Sequence, residues 1–250
     1  MQTNQLIQEL NQLYKPEEWL GIDDSCNGLQ IQPEKSEVKK VALTVDASRA
    51  TFEKAVKTGA ELLIVHHGLF WGNKPALLTG MMYERIRTMM GAGMGLYAMH
   101  LPMDAQPEIG HNAILADKLS LKNREVFAQV GWSGELTETI TLKEVMAKLG
   151  VEERRCEVIK NSERAIRKVG IVSGGGGGTA MAVEAISKGC DLYLTGELSH
   201  SSVIFAKEGG VNMIAAGHYW TETWGLKALQ KMLEEKYGLE TVWIEEDTGW

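Results

Sequence analysis

KTGAELLIV, from Lys57 to Val65, and SKGCDLYLT, from Ser187 to Thr195, are two versions of one junction between a helical pattern and a strand-like run. Their surroundings also agree. Before the first comes a β-rich run, Val41 to Val45, and a helical stretch from Arg49 to Lys57. After it come the strand Leu62 to Val65, a helix near Met81 to Met90 and a strand near Gly95 to Met99. Around the second lie a strand at Val169 to Val172, a helix at Thr179 to Lys188 and a strand at Asp191 to Leu194. A helix over Ser201 to Lys207 and a strand-like Val211 to Ala216 complete the series. Short apolar runs alternating with helical patterns predict a buried sheet covered by helices, an α/β fold.

Repetition of this order predicts a duplicated α/β unit, with halves at 1–124 and 125–250 and a site where they meet. Two βαβ units share such a pattern for physical reasons too, so the chemistry at the strand ends has to decide. Leu6, Ile7, Leu10 and Leu13 add an opening amphipathic helix stopped by Lys15-Pro16. The segment from Lys122 to Arg164 holds strands at Glu125 to Val130 and Cys156 to Lys160, with a helix at Leu142 to Leu149 between them.

The chain has 250 residues, 44% hydrophobic and 24% charged, the profile of a globular protein. Its net charge of −7 gives no support to binding nucleic acid or anionic membranes. Cys26, Cys156 and Cys190 are widely spaced and odd in number, which points to a reducing cytoplasm rather than a disulfide framework. No basic, then apolar, leader opens the sequence, and no run approaches the ~18 apolar residues of a membrane span.

Four of the six histidines sit where a strand stops. His66 and His67 follow Val65, His100 follows Met99, and His218 follows Ala216-Gly217. Asp104 lies four residues after His100, and Glu222 four after His218, so each half is expected to place an H-x-x-x-carboxylate at the same point of its repeat. Ligands in open α/β sheets bind beyond the carboxyl ends of the strands. Neutral imidazoles with carboxylates suit zinc, iron or manganese, and the donors exceed what one tetrahedral ion needs, so a pair of divalent cations is expected. Glu222 is expected in the first turn of a helix running to about Lys236. A His-His dipeptide alone is more often a polar turn; its coincidence with the repeat favours metal.

Ser173 and the glycines Gly174 to Gly178 follow a strand and precede a helix. Lacking a P-loop lysine, this segment reads as a tight, flexible turn rather than a phosphate cradle. Leu226, Leu229, Met232 and Leu233 read as helical core. The tryptophans, Trp19, Trp132 and Trp243 among them, are assigned to packing.

The sequence resembles the family known as GTP cyclohydrolase 1 type 2 homologues, also called the Nif-three-like family. The matching stretches are NGLQI (Asn27 to Ile31), VALTVDAS (Val41 to Ser48), LLIVHHGLFWG (Leu62 to Gly72), YAMHLPMDA (Tyr97 to Ala105), DLYLTGELSH (Asp191 to His200) and AAGHYWTETWG (Ala215 to Gly225). They run from one end of the chain to the other. The resemblance implies a short bacterial form, assembled as a toroidal homohexamer with a dinuclear metal site in each subunit. It implies His66, His67, Asp104, His218 and Glu222 as ligands, with His100 beside them for support or proton transfer. Members often carry an aromatic residue just before NGL; here Asp24-Ser25-Cys26 stand there, which bears on the pocket wall.

The expected activity is metal-dependent hydrolysis of a nucleotide, GTP by the family's name, with phosphoester hydrolysis open to the same equipment. The competing expectation is a non-catalytic metal carrier or a regulatory ring, in which the ions only brace the halves.

Overall fold

The computed structural model describes residues 1–72 and 76–249. In chain order its elements begin α1 (Thr3–Tyr14), β1 (Gly28–Ile31), β2 (Lys40–Asp46), α2 (Arg49–Lys57), β3 (Leu62–His67), α3 (Gly80–Gly91), β4 (Gly95–Ala98), α4 (Leu101–Ala105) and α5 (His111–Lys118). Next come β5 (Lys122–Phe127), β6 (Gly131–Ile140), α6 (Leu142–Leu149), β7 (Glu157–Ile159), β8 (Ile166–Val172), α7 (Thr179–Ser187) and β9 (Leu192–Thr195). The series ends with α8 (His200–Gly209), β10 (Asn212–Ala215), α9 (His218–Thr221), α10 (Trp224–Tyr237) and β11 (Glu240–Trp243). No described helix is long and apolar enough to cross a membrane.

Local chemistry explains where several helices start and stop. Ser48 with Thr51 opens α2 and Thr141 with Glu144 opens α6, each as a reciprocal capping box that satisfies amides the helix itself leaves bare. Lys15, in the left-handed region at φ 49°, ends α1 just before Pro16.

Packing divides the chain into two compact units: Met1–Met103 with Leu226–Glu246, and Asp104–Gly225 with Asp247–Trp250. These differ from the sequence halves 1–124 and 125–250. Asp104 and α5 pack with the second unit, and the C-terminal helix and strand return to the first. The reason for that return is pairing: β11 joins β2 in parallel from Glu240↔Lys40 to Trp243↔Leu43.

In the first unit the sheet order is β1-β4-β3-β2-β11. Strands β4, β3, β2 and β11 are parallel, and β1 runs antiparallel on the β4 edge. β3 and β4 are buried along almost their whole length rather than on alternate residues, as expected of parallel strands covered on both faces. Phe52 and Ala55 of α2 and Ile86 and Met89 of α3 pack into one cluster with Leu63, Val65, Leu96 and Ala98. Leu6 and Leu10 of α1 and Leu226, Leu229 and Leu233 of α10 are fully or almost fully buried as well.

In the second unit the order is β5-β6-β8-β9-β10-β7. Here β8, β9 and β10 are parallel, and β6 and β7 flank them antiparallel. Helices α5 and α6, with Leu119 just past the end of α5, contribute Leu115, Leu119, Val145 and Leu149 to a cluster with Val169, Ile171, Leu192, Leu194 and Ile214.

Each unit thus contains the same three-stranded parallel core with an antiparallel strand beside its third member. The junctions agree atom by atom. In the first unit the N–H groups of Lys39 and Lys40 donate to Glu61 Oε2 at 3.1 and 2.8 Å. In the second, those of Arg167 and Lys168 donate to Asp191 Oδ2, both at 2.9 Å. The preceding helices end in turns at Gly59 and Gly189, with φ of 75° and 67°, a region where a side chain would be strained.

The ladders also correct one expectation. Val65 pairs with Ala98, and its counterpart Thr195 pairs with Ala215. His100 therefore corresponds to Gly217, and His218 to Leu101, so the two H-x-x-x-carboxylate pairs are one residue out of step. Glu222 departs from expectation too: it is the residue that closes the four-residue α9, ahead of α10 rather than in its first turn.

Candidate metal centre

In the first unit, β3 carries His66 and His67 at its carboxyl end, and the chain leaving β4 presents His100. His66 is fully buried. Ring nitrogens of the three histidines lie within 4.8 Å of one another. Each ring is tethered through Nδ1: His66 to the Met99 carbonyl at 3.0 Å, His67 to Asp46 at 2.8 Å and His100 to Asp23 at 2.8 Å. All three partners can only accept, so in a neutral ring the proton sits on Nδ1 and the lone pair on Nε2.

Asp23 is one residue that sequence reasoning missed. Its side chain is 2% exposed. Beyond His100, it accepts from the Ser25 N–H (2.9 Å), the Asn27 amide (2.8 Å) and the Leu101 N–H (3.0 Å). Burial works against its charge, but these hydrogen bonds and the neighbouring His100 prevail and hold its pKa down at about 2. Asn27 completes the arrangement by accepting the His100 N–H at 2.7 Å. Asp23 and the first residue of the NGL segment therefore fix His100 together, ring and backbone. Trp71 is also no packing residue: it is 43% exposed and meets the His100 ring edge-on, centroids 4.9 Å apart.

In the second unit, Asp104 is 5% exposed and Glu222 3%. Ser173 Oγ donates to Asp104 Oδ1 at 2.7 Å, and the Ser173 N–H is itself held by Asn112 at 2.7 Å. His218 Nε2 and Glu222 Oε2 are 3.2 Å apart, and Glu197 takes the His218 Nδ1 at 2.5 Å. Burial disfavours the charged His218 ring, yet hydrogen bonding and charge from Glu222 and Glu197 outweigh it and raise its pKa to about 9.

His111, which the sequence did not single out, has a ring nitrogen within 4.8 Å of an Asp104 oxygen. Its Nδ1 accepts the Gly225 N–H at 2.9 Å, so a neutral ring is protonated at Nε2 and has no lone pair left there for a cation. That makes His111 a support for the site rather than a ligand.

The glycine segment after β8 has a specific reason. A Cβ on Gly174 would stand 1.8 Å from Glu222 Oε1, and φ there is 58°. One on Gly177 would stand 2.5 Å from the Glu197 carbonyl oxygen. The loop requires glycine at these two positions because it passes against the Glu222 carboxylate and the Glu197 backbone. It is a close-packed wall, not a loose turn.

The family model described as Duf34/NIF3 (NGG1p interacting factor 3) matches residues 1–249. The chain belongs to the DUF34/NIF3 family. Relatives called GTP cyclohydrolase 1 type 2 homolog include a protein of Pyrococcus horikoshii, 41% identical over 235 residues that cover 91% of this chain and 92% of that one. A Deinococcus radiodurans relative of the same name is 40% identical, covering 91% and 87%. Among solved structures, a Thermus thermophilus protein superposes with a TM-score of 0.88 at 36% identity, over 100% of both chains. Reduced HcgD from Methanocaldococcus jannaschii gives 0.87 at 26% identity, over 98% of each. The mixed α/β fold is thus shared within the DUF34/NIF3 family.

Chemically, this DUF34/NIF3 chain offers imidazole and carboxylate groups able to hold a metal ion. The donor set fits a divalent cation. Borderline nitrogen donors are paired with hard oxygens, and the rings are oriented by acceptors behind them, as metal-binding histidines ordinarily are.

Proposed function

We propose that His66, His67, Asp104, His218 and Glu222 act as one ligand set for two divalent cations, and that the protein hydrolyses a nucleotide. The observation that carries this reading is the tethering of the imidazoles. His66, His67 and His218 each have Nδ1 engaged by a carbonyl or carboxylate, which orients Nε2 for a cation. Zinc, iron and manganese all suit this mixture of nitrogen and oxygen donors. Bound there, two such ions would supply Lewis-acid polarisation of a substrate and acidification of water.

The chain's own residues do the rest. Ser173 holds one oxygen of Asp104. Glu197 orients His218, and the wall formed by Gly174 keeps Glu222 in place. His100, fixed by Asp23 and Asn27 and still partly exposed, is the group placed to hold or move a proton at Nε2. A nucleotide substrate follows from the relatives' name, with attack on the purine imidazole ring and release of formate as the corresponding chemistry. We read the two parallel cores as products of a duplication, and the working form as a cytoplasmic homohexameric ring.

A non-catalytic metal carrier or regulatory ring is the second reading. The burial of His66, Asp104 and Glu222 favours it, since structural metal sites are closed. One experiment separates the two. Metal-loaded wild type and Glu222→Gln are assayed against nucleotides and phosphoesters, with metal content measured by elemental analysis. Turnover in wild type that is lost in the variant is expected. Background turnover in both, with metal still bound by wild type, would replace the hydrolase with the carrier.

A further inference from the structure

We propose that a cavity in the second unit, lined by Arg154, Arg155, Glu157, Glu197, Trp220 and Asp247, binds a phosphorylated heteroaromatic ring that carries N–H donors. The proposal rests on the nucleotide reading above and gives that substrate a place. The cavity measures about 610 Å³, within the range of small-molecule sites.

Its cationic side is pre-formed. The Arg155 guanidinium lies 4.7 Å over the Trp220 ring, which holds the flat fork in one plane and leaves its edge N–H groups available. Arg154 is next to it in sequence. Glu152 supports both, 2.5 Å from Arg154 Nε and 3.9 Å from Arg155 Nε. Two planar guanidiniums are suited to bidentate phosphate binding.

Three acidic residues line the same cavity, Glu157, Glu197 and Asp247. Three acids beside two arginines make a poor site for a bare polyanion. They suit a ligand with two poles: phosphate for the guanidiniums, and ring N–H or amino groups for carboxylates that can only accept. Guanine has both kinds of donor. Glu197 also connects this cavity to the candidate metal centre, because its Oε1 holds His218 Nδ1. A ligand in the cavity therefore touches the residue that orients a candidate metal ligand.

The test uses full-length, metal-loaded protein and titration calorimetry with four probes: GTP, ITP (which lacks the 2-amino group), guanosine and tripolyphosphate. The variants are Arg155→Ala, Arg154→Ala/Arg155→Ala and Arg155→Lys. Arg154 and Arg155 side chains are 78% and 44% exposed, so the fold tolerates their loss. GTP is expected to bind more tightly than the other three probes. The double variant should weaken GTP binding about tenfold or more, with metal content unchanged, and Arg155→Lys should fall between. No binding of GTP by wild type, equal binding by the double variant, or tripolyphosphate binding as tightly as GTP would each overturn the proposal. GTP binding that needs the arginines, without turnover, would sink the hydrolase reading alone. Turnover with an unchanged KM in the double variant would sink this cavity alone.

Discussion

Replacing Asp23 with asparagine tests whether the carboxylate behind His100 is held as charge or merely as shape. Four groups donate to it, and its pKa falls from 3.8 to about 2. Since one pKa unit is 1.36 kcal/mol, that difference contributes about 2 kcal/mol to stability. The folded value lies below the unfolded one. The contribution is therefore complete above about pH 3.8 and is lost as pH falls through about 2. Asp23→Asn should accordingly lose about 2 kcal/mol at pH 7, plus a constant cost for an amide donor that faces other donors. Urea unfolding of metal-free protein, followed from pH 7 to pH 2 beside amide exchange at Leu101, measures both parts. The gap between wild type and variant should narrow by the pH-dependent part as acid is added. Curves that stay parallel down to pH 2 would show that Asp23 is not held as an anion.

Gly174→Ala should displace Glu222 and strip metal from the protein, at a cost of about 1–3 kcal/mol, whereas Gly178→Ala, with no atom within 4 Å of the new Cβ, should keep its metal. Equal metal content in the two, by elemental analysis, would contradict the packing. Glu197→Gln should lower the His218 pKa from about 9 toward 6.5 in metal-free protein, because one of its two carboxylates is gone; an NMR titration reads this directly. The charged ring adds stability that is complete below about pH 6.5 and lost as pH rises through about 9, so metal, which must displace this proton, should bind more tightly as pH rises across that window. Chelation should lower Tm, and returning zinc or manganese should restore it. An unchanged Tm would mean that the folded protein does not prefer the metal.

Much of the fold was readable because buried parallel strands and amphipathic helices leave a direct imprint on sequence. The helices expected at Arg49 to Lys57 and Leu142 to Leu149 occur over those residues. Antiparallel edges were harder. β6 is ten residues long, yet GWSGELTETI mixes glycine and charge and gives no clean alternation. β11 was invisible for another reason: its partner β2 is about two hundred residues away, and no local pattern announces such a pairing. Among site residues, His66 and His67 announced themselves at a strand end. Asp23 did not, because it sits in an irregular segment and its role exists only through Asn27, His100 and Leu101. Glu197 was hidden similarly, at the register position that His67 occupies in the other sheet.

The return of β11 has a consequence for synthesis. Until Glu240–Trp243 are made, β2 is the bare edge of the first sheet, with unpaired N–H and C=O groups facing outward. At about 5–20 residues per second the ribosome needs on the order of ten seconds or more to travel from β2 to β11. Throughout that interval the growing chain carries a strand that any passing strand could join. The sheet translated first is thus the one finished last, and β11, once paired, takes over from β2 as its outer strand.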